Sequence, residues 1–269
     1  MSNKWKDSPE LWKGIYDSNT TSRIGDLGFG TFERTIVEVR REIPEELKGI
    51  SSLVEGFWNE FSASRPAGSK PTNDPKYGIT GMNDVSIDGK NLILNVFECG
   101  YADIRFKNSR DKRYDEKLTP KQREFLNNLL VLGVVGYVQS DSRYLFGVRS
   151  DAGPRGGLVE TVPQGLVDLL KDKSEDIFYS ALARELKEET CLDMAEDISD
   201  KTITHLQVGP KFGDFAVISR LRLKSGREEK VRESREHTKL YFGKLSTDDF
   251  KDDKKYAFNP VTVALFEKL

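Results

Sequence analysis

Cysteine is scarce in this sequence: Cys99 and Cys191 are the only two in 269 residues. A secreted chain of this size more often carries several paired cysteines, so both are expected as free thiols in a reducing compartment. Histidine is as rare, with only His205 and His237, which excludes a multi-histidine zinc site and points to carboxylates for any chemistry. No run reaches the roughly 18 apolar residues that a membrane helix needs, so no membrane partner is expected. Charge of one sign is also lacking: 42 basic residues are scattered among 44 acidic ones for a formal net charge of -2. Without a sustained basic stripe, nucleic acid is not an expected partner. The first eight residues have no apolar core and carry Lys4, Lys6 and Asp7, which predicts a cytosolic location. There is no internal repeat and no low-complexity tract.

Residues 1–34 are polar, with Trp5, Trp12 and glycines at 25, 28 and 30, and are expected to be loop. No lysine-serine/threonine pair follows Gly28 and Gly30 and no apolar strand precedes them, so they do not make a phosphate loop. Over 44–61, Leu47, Ile50, Leu53, Val54, Phe57, Trp58 and Phe61 recur at three and four, which predicts one helix with a buried stripe. A connector rich in Pro, Gly and Ser over 65–74 leads to a strand over 92–97 that ends near Tyr101. The charged stretch 108–121 reads as a connector into a helix that Thr119 caps and Pro120 opens.

The second half is more regular. Residues 130–138 have the length and apolarity of a buried strand, 144–148 read as its partner, and Ser140, Asp141 and Ser142 supply the turn of a hairpin. A loop containing Gly153, Gly156 and Gly157 follows, then a short segment over 158–162 and a helix over 175–190. Strands are expected near 203–208, 215–223 and 240–245, and a closing helix over 260–268.

The chemistry is concentrated in Val162-Pro163-Gln164-Gly165 and in Arg184-Glu185-Leu186-Lys187-Glu188-Glu189. On a helix Glu185, Glu188 and Glu189 stand at i, i+3 and i+4, so three anions share one face. Such a face is stable when it is solvated or when a hard divalent cation neutralises it, and oxygen-only ligands favour magnesium or manganese over zinc. Ile177, Phe178, Ala181, Leu182 and Leu186 form the apolar stripe that would hold the helix against a sheet.

This stretch resembles the Nudix box, in which a glycine follows a strand and a loop leads to Arg-Glu-aliphatic-x-Glu-Glu-x-Gly-aliphatic. The resemblance implies an α/β (α+β) fold, an α-β-α sandwich around a mixed β-sheet with an N-terminal α/β extension. It further implies a hydrolase that splits phosphate-phosphate bonds in a small nucleotide with the help of Mg2+ or Mn2+. By resemblance Glu185, Glu188 and Glu189 hold the metal, and Glu188 and Glu189 are catalytic. Arg184 ties the helix to a box acid, Glu175 or Asp176, and Gly165 is the leading glycine where the backbone approaches the site and substrate.

Arg184 lies further from Gly165 than the family spacing, which places an insertion of about five residues within 169–174. Cys191 replaces the usual glycine, and a left-handed residue there would cost about 1 kcal/mol, so a different helix end is expected. A further acid often stands downstream in the family, and Glu236, just before a strand, is the candidate general base or extra ligand. His237 beside it could reach a phosphate or be incidental.

In the front half, Trp58 and Glu60, Asp74-Pro75-Lys76-Tyr77 and Gly100-Tyr101-Ala102-Asp103 are similar to the UDP-glucose/galactose pyrophosphatase branch of the same family. That likeness implies a UDP-sugar substrate, with UMP and a sugar 1-phosphate as products, and Tyr101, Asp103 and Arg105 as pocket residues. It divides the chain into an extension over 1–120 and a catalytic unit over 121–269. ADP-ribose or another nucleotide as substrate, and ligand binding without hydrolysis, stay open at this point.

Overall fold

The computed structural model describes residues 16–17, 23–26, 34–39, 42–65, 71–81, 84–88, 91–109, 111–150, 156–209 and 214–244, together with 262 and 265. Its centre is β7 (Leu130–Ser140), whose eleven residues are buried at every position but one, as befits a strand covered on both faces. Along one edge β7 pairs in parallel with β12 (Asp214–Leu223). Along the other it pairs antiparallel with β4 (Pro75–Ile79), β10 (Gln164–Leu166) and β8 (Arg143–Arg149) in succession. The fold is therefore mixed α/β, built on a mixed sheet.

Beyond β12 the sheet continues antiparallel through β11 (Ile198–Gly209) to β2 (Arg23–Asp26) and β1 (Tyr16–Asp17). On the β4 side it runs through β6 (Asn91–Gly100), which β3 (Arg34–Val39) and β5 (Val85–Asp88) flank. A branch forms where β8 leaves β7 to pair with β9 (Val159–Thr161) and β13 (His237–Gly243). The hairpin predicted at 140–142 is present, and Asp141 takes φ 52 in its turn, a region Asp tolerates better than most residues.

Helix α6 (Ile177–Thr190) lies on one face and buries Ile177, Phe178, Ala181, Leu182 and Leu186 against Val134 and Val138 of β7 and Phe215 and Val217 of β12. Val135, Tyr137, Ala216 and Ile218 pack on the opposite face, with Leu265 among them. A second cluster joins α1 (Glu45–Lys48), α2 (Ser51–Ala63), α3 (Tyr101–Ser109), α4 (Lys112–Asp115) and α5 (Pro120–Asn128) to Phe97 of β6 and Val131 of β7. Thr119 caps α5 as its sequence predicts: its hydroxyl accepts from Gln122 N at 3.2 Å, and Gln122 Oε1 accepts from Thr119 N at 2.9 Å.

Several elements differ from the sequence expectation. The single helix over 44–61 is two, because the chain turns at Gly49 and buries Ile50 between them. Part of the polar N-terminal stretch is strand, since β2 pairs with β11 far along the chain, a contact no local pattern encodes. Tyr101 opens a helix directly after β6, where Ala102 N donates to Asn73 Oδ1 at 2.7 Å. The charged stretch 108–121 contains the short helix α4, for which Asp111 accepts from Arg113 N at 3.0 Å. The glycines at 28, 30 and 153, Trp5 and Trp12, and nearly all of the closing helix lie outside the described residues.

Candidate active site

Helix α6 starts where Asp176 accepts a hydrogen bond from Tyr179 N at 2.9 Å and ends at Cys191, which adopts φ 65. The expectation of a different helix end is corrected: Cys191 takes the left-handed conformation that glycine usually supplies, and its N–H donates to Lys187 O at 3.1 Å. The turn that follows, with Leu192 fully buried, holds the residue in that conformation.

Glu185 and Glu189 point from α6 into the protein, with 8% and 2% exposure, while the Glu188 side chain is half exposed. Strand β10 passes against this face. Glu189 Oε2 accepts a hydrogen bond from Gln164 N at 3.0 Å, whereas its Oε1 is buried without a partner among the described residues. Gly165 is the next residue, and a Cβ there would collide with the Glu185 carboxylate. The glycine is needed for close approach: helix and strand meet only because this position has no side chain.

Arg184 anchors the inner side of the cluster. Its guanidinium donates to Asp172 Oδ1 and Oδ2 at 3.0 Å each, to Leu166 O at 3.0 Å and to Glu185 Oε1 at 2.5 Å, and it lies 3.5 Å from Glu188. The expected partners Glu175 and Asp176 are thus replaced by Asp172. Asp176 is committed to capping α6 and Glu175 is exposed, whereas Asp172 is 3% exposed beneath the helix. Asp172 lies within the expected insertion and also accepts from Asp168 N at 2.7 Å.

A second group faces the cluster from β8, β9 and β13. Arg149 donates to Glu160 at 2.6 Å and to Glu236 at 2.8 Å. His237 Nε2 lies 3.1 Å from the same Glu160 oxygen; a carboxylate can only accept, so that ring nitrogen donates. His237 and Glu160 are both buried, which places His237 in an internal hydrogen bond. Neither Glu160 nor Arg149 was singled out from the sequence. The available signal was the one charge, Glu160, in the segment Leu158-Val159-Glu160-Thr161-Val162.

The carboxylates feel one another. Burial pushes Glu185 up to about 7, Arg184 draws it down, and Glu188 and Glu236 push it further up. Burial holds Glu189 well above the usual carboxylate range, with Glu185, Glu236 and Glu160 adding to the rise. A buried carboxyl surrounded by other anions either keeps a proton near neutral pH or requires a cation. Among the described residues no group of three such side chains is close enough to hold a metal ion as they stand. The donor chemistry nonetheless fits a hard divalent cation: all donors are oxygens, Glu189 Oε1 has no partner among the described residues, and the half-exposed Glu188 has room to reorient.

Tyr101, Asp103 and Arg105 sit elsewhere, on α3. The Tyr101 ring meets Trp58 edge-on at 6.1 Å, Arg105 lies over Phe61 at 5.0 Å, and Asp103 accepts from Gly100 N at 2.6 Å. Tyr101 and Arg105 thus contact α2, and Asp103 the end of β6. A cleft of about 190 Å³ between α3, α4 and α5, lined by Phe106, Tyr114 and Arg123 among others, contains none of the acidic cluster. The buried Glu189 Oε1, without a partner among the described residues, is the stronger functional signal, because a cleft by itself implies no chemistry.

No protein-family model matches the sequence, and no curated protein matches it. Solved structures align with about half of the chain. A MutT NUDIX hydrolase from Burkholderia pseudomallei is 20% identical over 51% of this chain and 96% of its own, with a TM-score of 0.37. A pyrophosphohydrolase of Bacillus subtilis is 15% identical over 51% of this chain and 78% of its own, with a TM-score of 0.36. A bifunctional NMN adenylyltransferase/ADP ribose pyrophosphatase from Francisella tularensis, complexed with AMP and a Mn ion, is 15% identical over 51% of this chain and 41% of its own, with a TM-score of 0.35.

Proposed function

We propose that the chain is a Nudix-type hydrolase that cleaves the diphosphate of a small nucleotide with the help of Mg2+ or Mn2+. The observation that carries this reading is Glu189 Oε1, buried and without a partner among the described residues, beside Glu185 on a helix that bears the Arg-Glu-x-x-Glu-Glu pattern. In this reading Glu185, Glu188 and Glu189 hold the cation, which supplies positive charge against which a diphosphate is bound and polarised. Gln164 N and Arg184 hold the carboxylates of Glu189 and Glu185 before substrate arrives, which leaves Glu188 as the ligand that reorients onto the cation. In the same reading Glu236, half exposed, takes a proton from an attacking water. No residue here needs to form a covalent bond to phosphorus, and positioning and charge neutralisation are the protein's contribution.

The finer assignment is a UDP-sugar, split into UMP and a sugar 1-phosphate. It rests on the sequence likeness of the front half. In the same proposal residues 1–120 are an extension of a catalytic unit over 121–269, the setting is the cytosol, and neither nucleic acid nor a membrane has a part. The test is product analysis after incubation with UDP-glucose, ADP-ribose and nucleoside triphosphates, with and without Mg2+. UMP release from UDP-glucose only with Mg2+ is expected. Preference for ADP-ribose would remove the UDP-sugar assignment, and no hydrolysis of any diphosphate with Mg2+ or Mn2+ would remove the hydrolase.

A further inference from the structure

Strand β8 lies between β13 and β9, and one face of these three strands carries Gly147, Arg149, Glu160 and His237. Gly147 stands opposite Glu160 on one side and Leu240 on the other. A Cβ at Gly147 would strike the His237 imidazole, so the ring crosses β8 over a position without a side chain to reach Glu160 on β9. Arg149, two residues on and on the same face, donates from Nη1 to Glu160 and from Nη2 to Glu236. Glu160 is thus a fully buried carboxylate that accepts on one oxygen from both Arg149 and His237. A buried ion pair contributes little net stability, because desolvation offsets its attraction, so stability alone is a weak reason for it. Its geometric consequence is specific. The guanidinium is a rigid planar fork, and fixing one arm on a buried anchor aims the other at Glu236, whose side chain is otherwise half in solvent.

We propose that Arg149 is the positioning residue for Glu236, with Glu160 and His237 as its buried anchor. This inference rests on the hydrolase reading and on Glu236 as its base. Arg149→Lys keeps a positive charge beside Glu160 but replaces the two-armed planar fork with a single nitrogen on a flexible stem, which no longer aims Glu236. It should lower kcat on the order of tenfold, a fraction of the roughly 10²–10⁴-fold that general-base catalysis supplies, with KM nearly unchanged. In a double-mutant cycle, Arg149→Lys should have no further effect on kcat once Glu236 is already Gln, because both changes remove one device. The paired replacement Arg149→Met with Glu160→Gln removes the buried charges together, which favours retention of the fold, and should lower kcat to the same degree. Mn2+ affinity, followed by the paramagnetic resonance of the free ion, should stay near the wild-type value in Arg149→Lys, since the residue acts on the base and not on the metal ligands. Additive losses in the cycle, or a fall in Mn2+ affinity that parallels kcat, would overturn the positioning role while leaving the hydrolase intact. A wild-type chain that hydrolyses no diphosphate would overturn both.

Discussion

Glu189 and Glu185 show what a single residue can carry here. Burial raises both carboxyls, Glu185 to about 7 and Glu189 well above the usual carboxylate range, with Glu188, Glu236 and Glu160 contributing. In an unfolded chain both would ionise near about pH 4.3. Between that value and their folded values the native state binds more protons than the unfolded one, so these two groups weaken folding as pH rises. Without divalent cations the melting temperature should therefore fall from about pH 5 to about pH 8. Glu189→Gln should flatten that fall and melt higher at the alkaline end, and equal slopes for both proteins would contradict the burial account. At Cys191 the left-handed φ of 65 predicts that Cys191→Gly stabilises the protein by about 1 kcal/mol in chemical unfolding; a loss of stability would mean that the thiol contributes contacts beyond its backbone. At this scale the glutamate triplet was legible because helical periodicity puts it on one face. Asp172 was not, because the insertion that carries it disrupts the spacing of the motif, and Glu175 and Asp176 are nearer to Arg184 in sequence than they are useful in space.

At the scale of elements, the site is the junction of β10 with α6. Gly165→Ala puts a methyl group where the Glu185 carboxylate lies, so helix and strand must separate. The expected outcome is loss of divalent-ion binding and of most activity, with helix content by circular dichroism nearly unchanged, because the core stripe of α6 stays buried. An active Gly165→Ala variant would show that this contact does not define the site. Elements with a long periodic stripe, such as α6, or a long apolar run, such as β7, were legible in the sequence, as was α5 with its cap. Short strands were not: β3, β4 and β5 are set by pairing with β6, and β13 begins at His237 rather than at 240 because it pairs with β8 from Arg149 onward. Such pairing is non-local, and intrinsic strand preference cannot supply it.

Across the whole molecule the front and rear halves of the sequence share one sheet, since β4 pairs with both β6 and β7. A line of buried charge follows the same junction. Lys76 of β4 lies 3.3 Å from Asp168, both nearly buried, Asp168 N donates to Asp172, and Asp172 holds Arg184. Lys76→Met leaves Asp168 buried without its cation, and should cost about 3 kcal/mol of stability in chemical unfolding, largely recovered by adding Asp168→Asn. A cost of only a few tenths of a kcal/mol would place the pair among ordinary surface bridges. This line was illegible in the sequence, because it joins residues whose proximity depends on the register of three strands. The central claim, however, concerns the acids at its end. Titrating the chain with Mn2+ near neutral pH, with the free ion followed by paramagnetic resonance, tests it most directly. A saturable site in the wild-type protein that Glu189→Gln abolishes is the predicted result; no saturable site, or equal binding by both proteins, would contradict it.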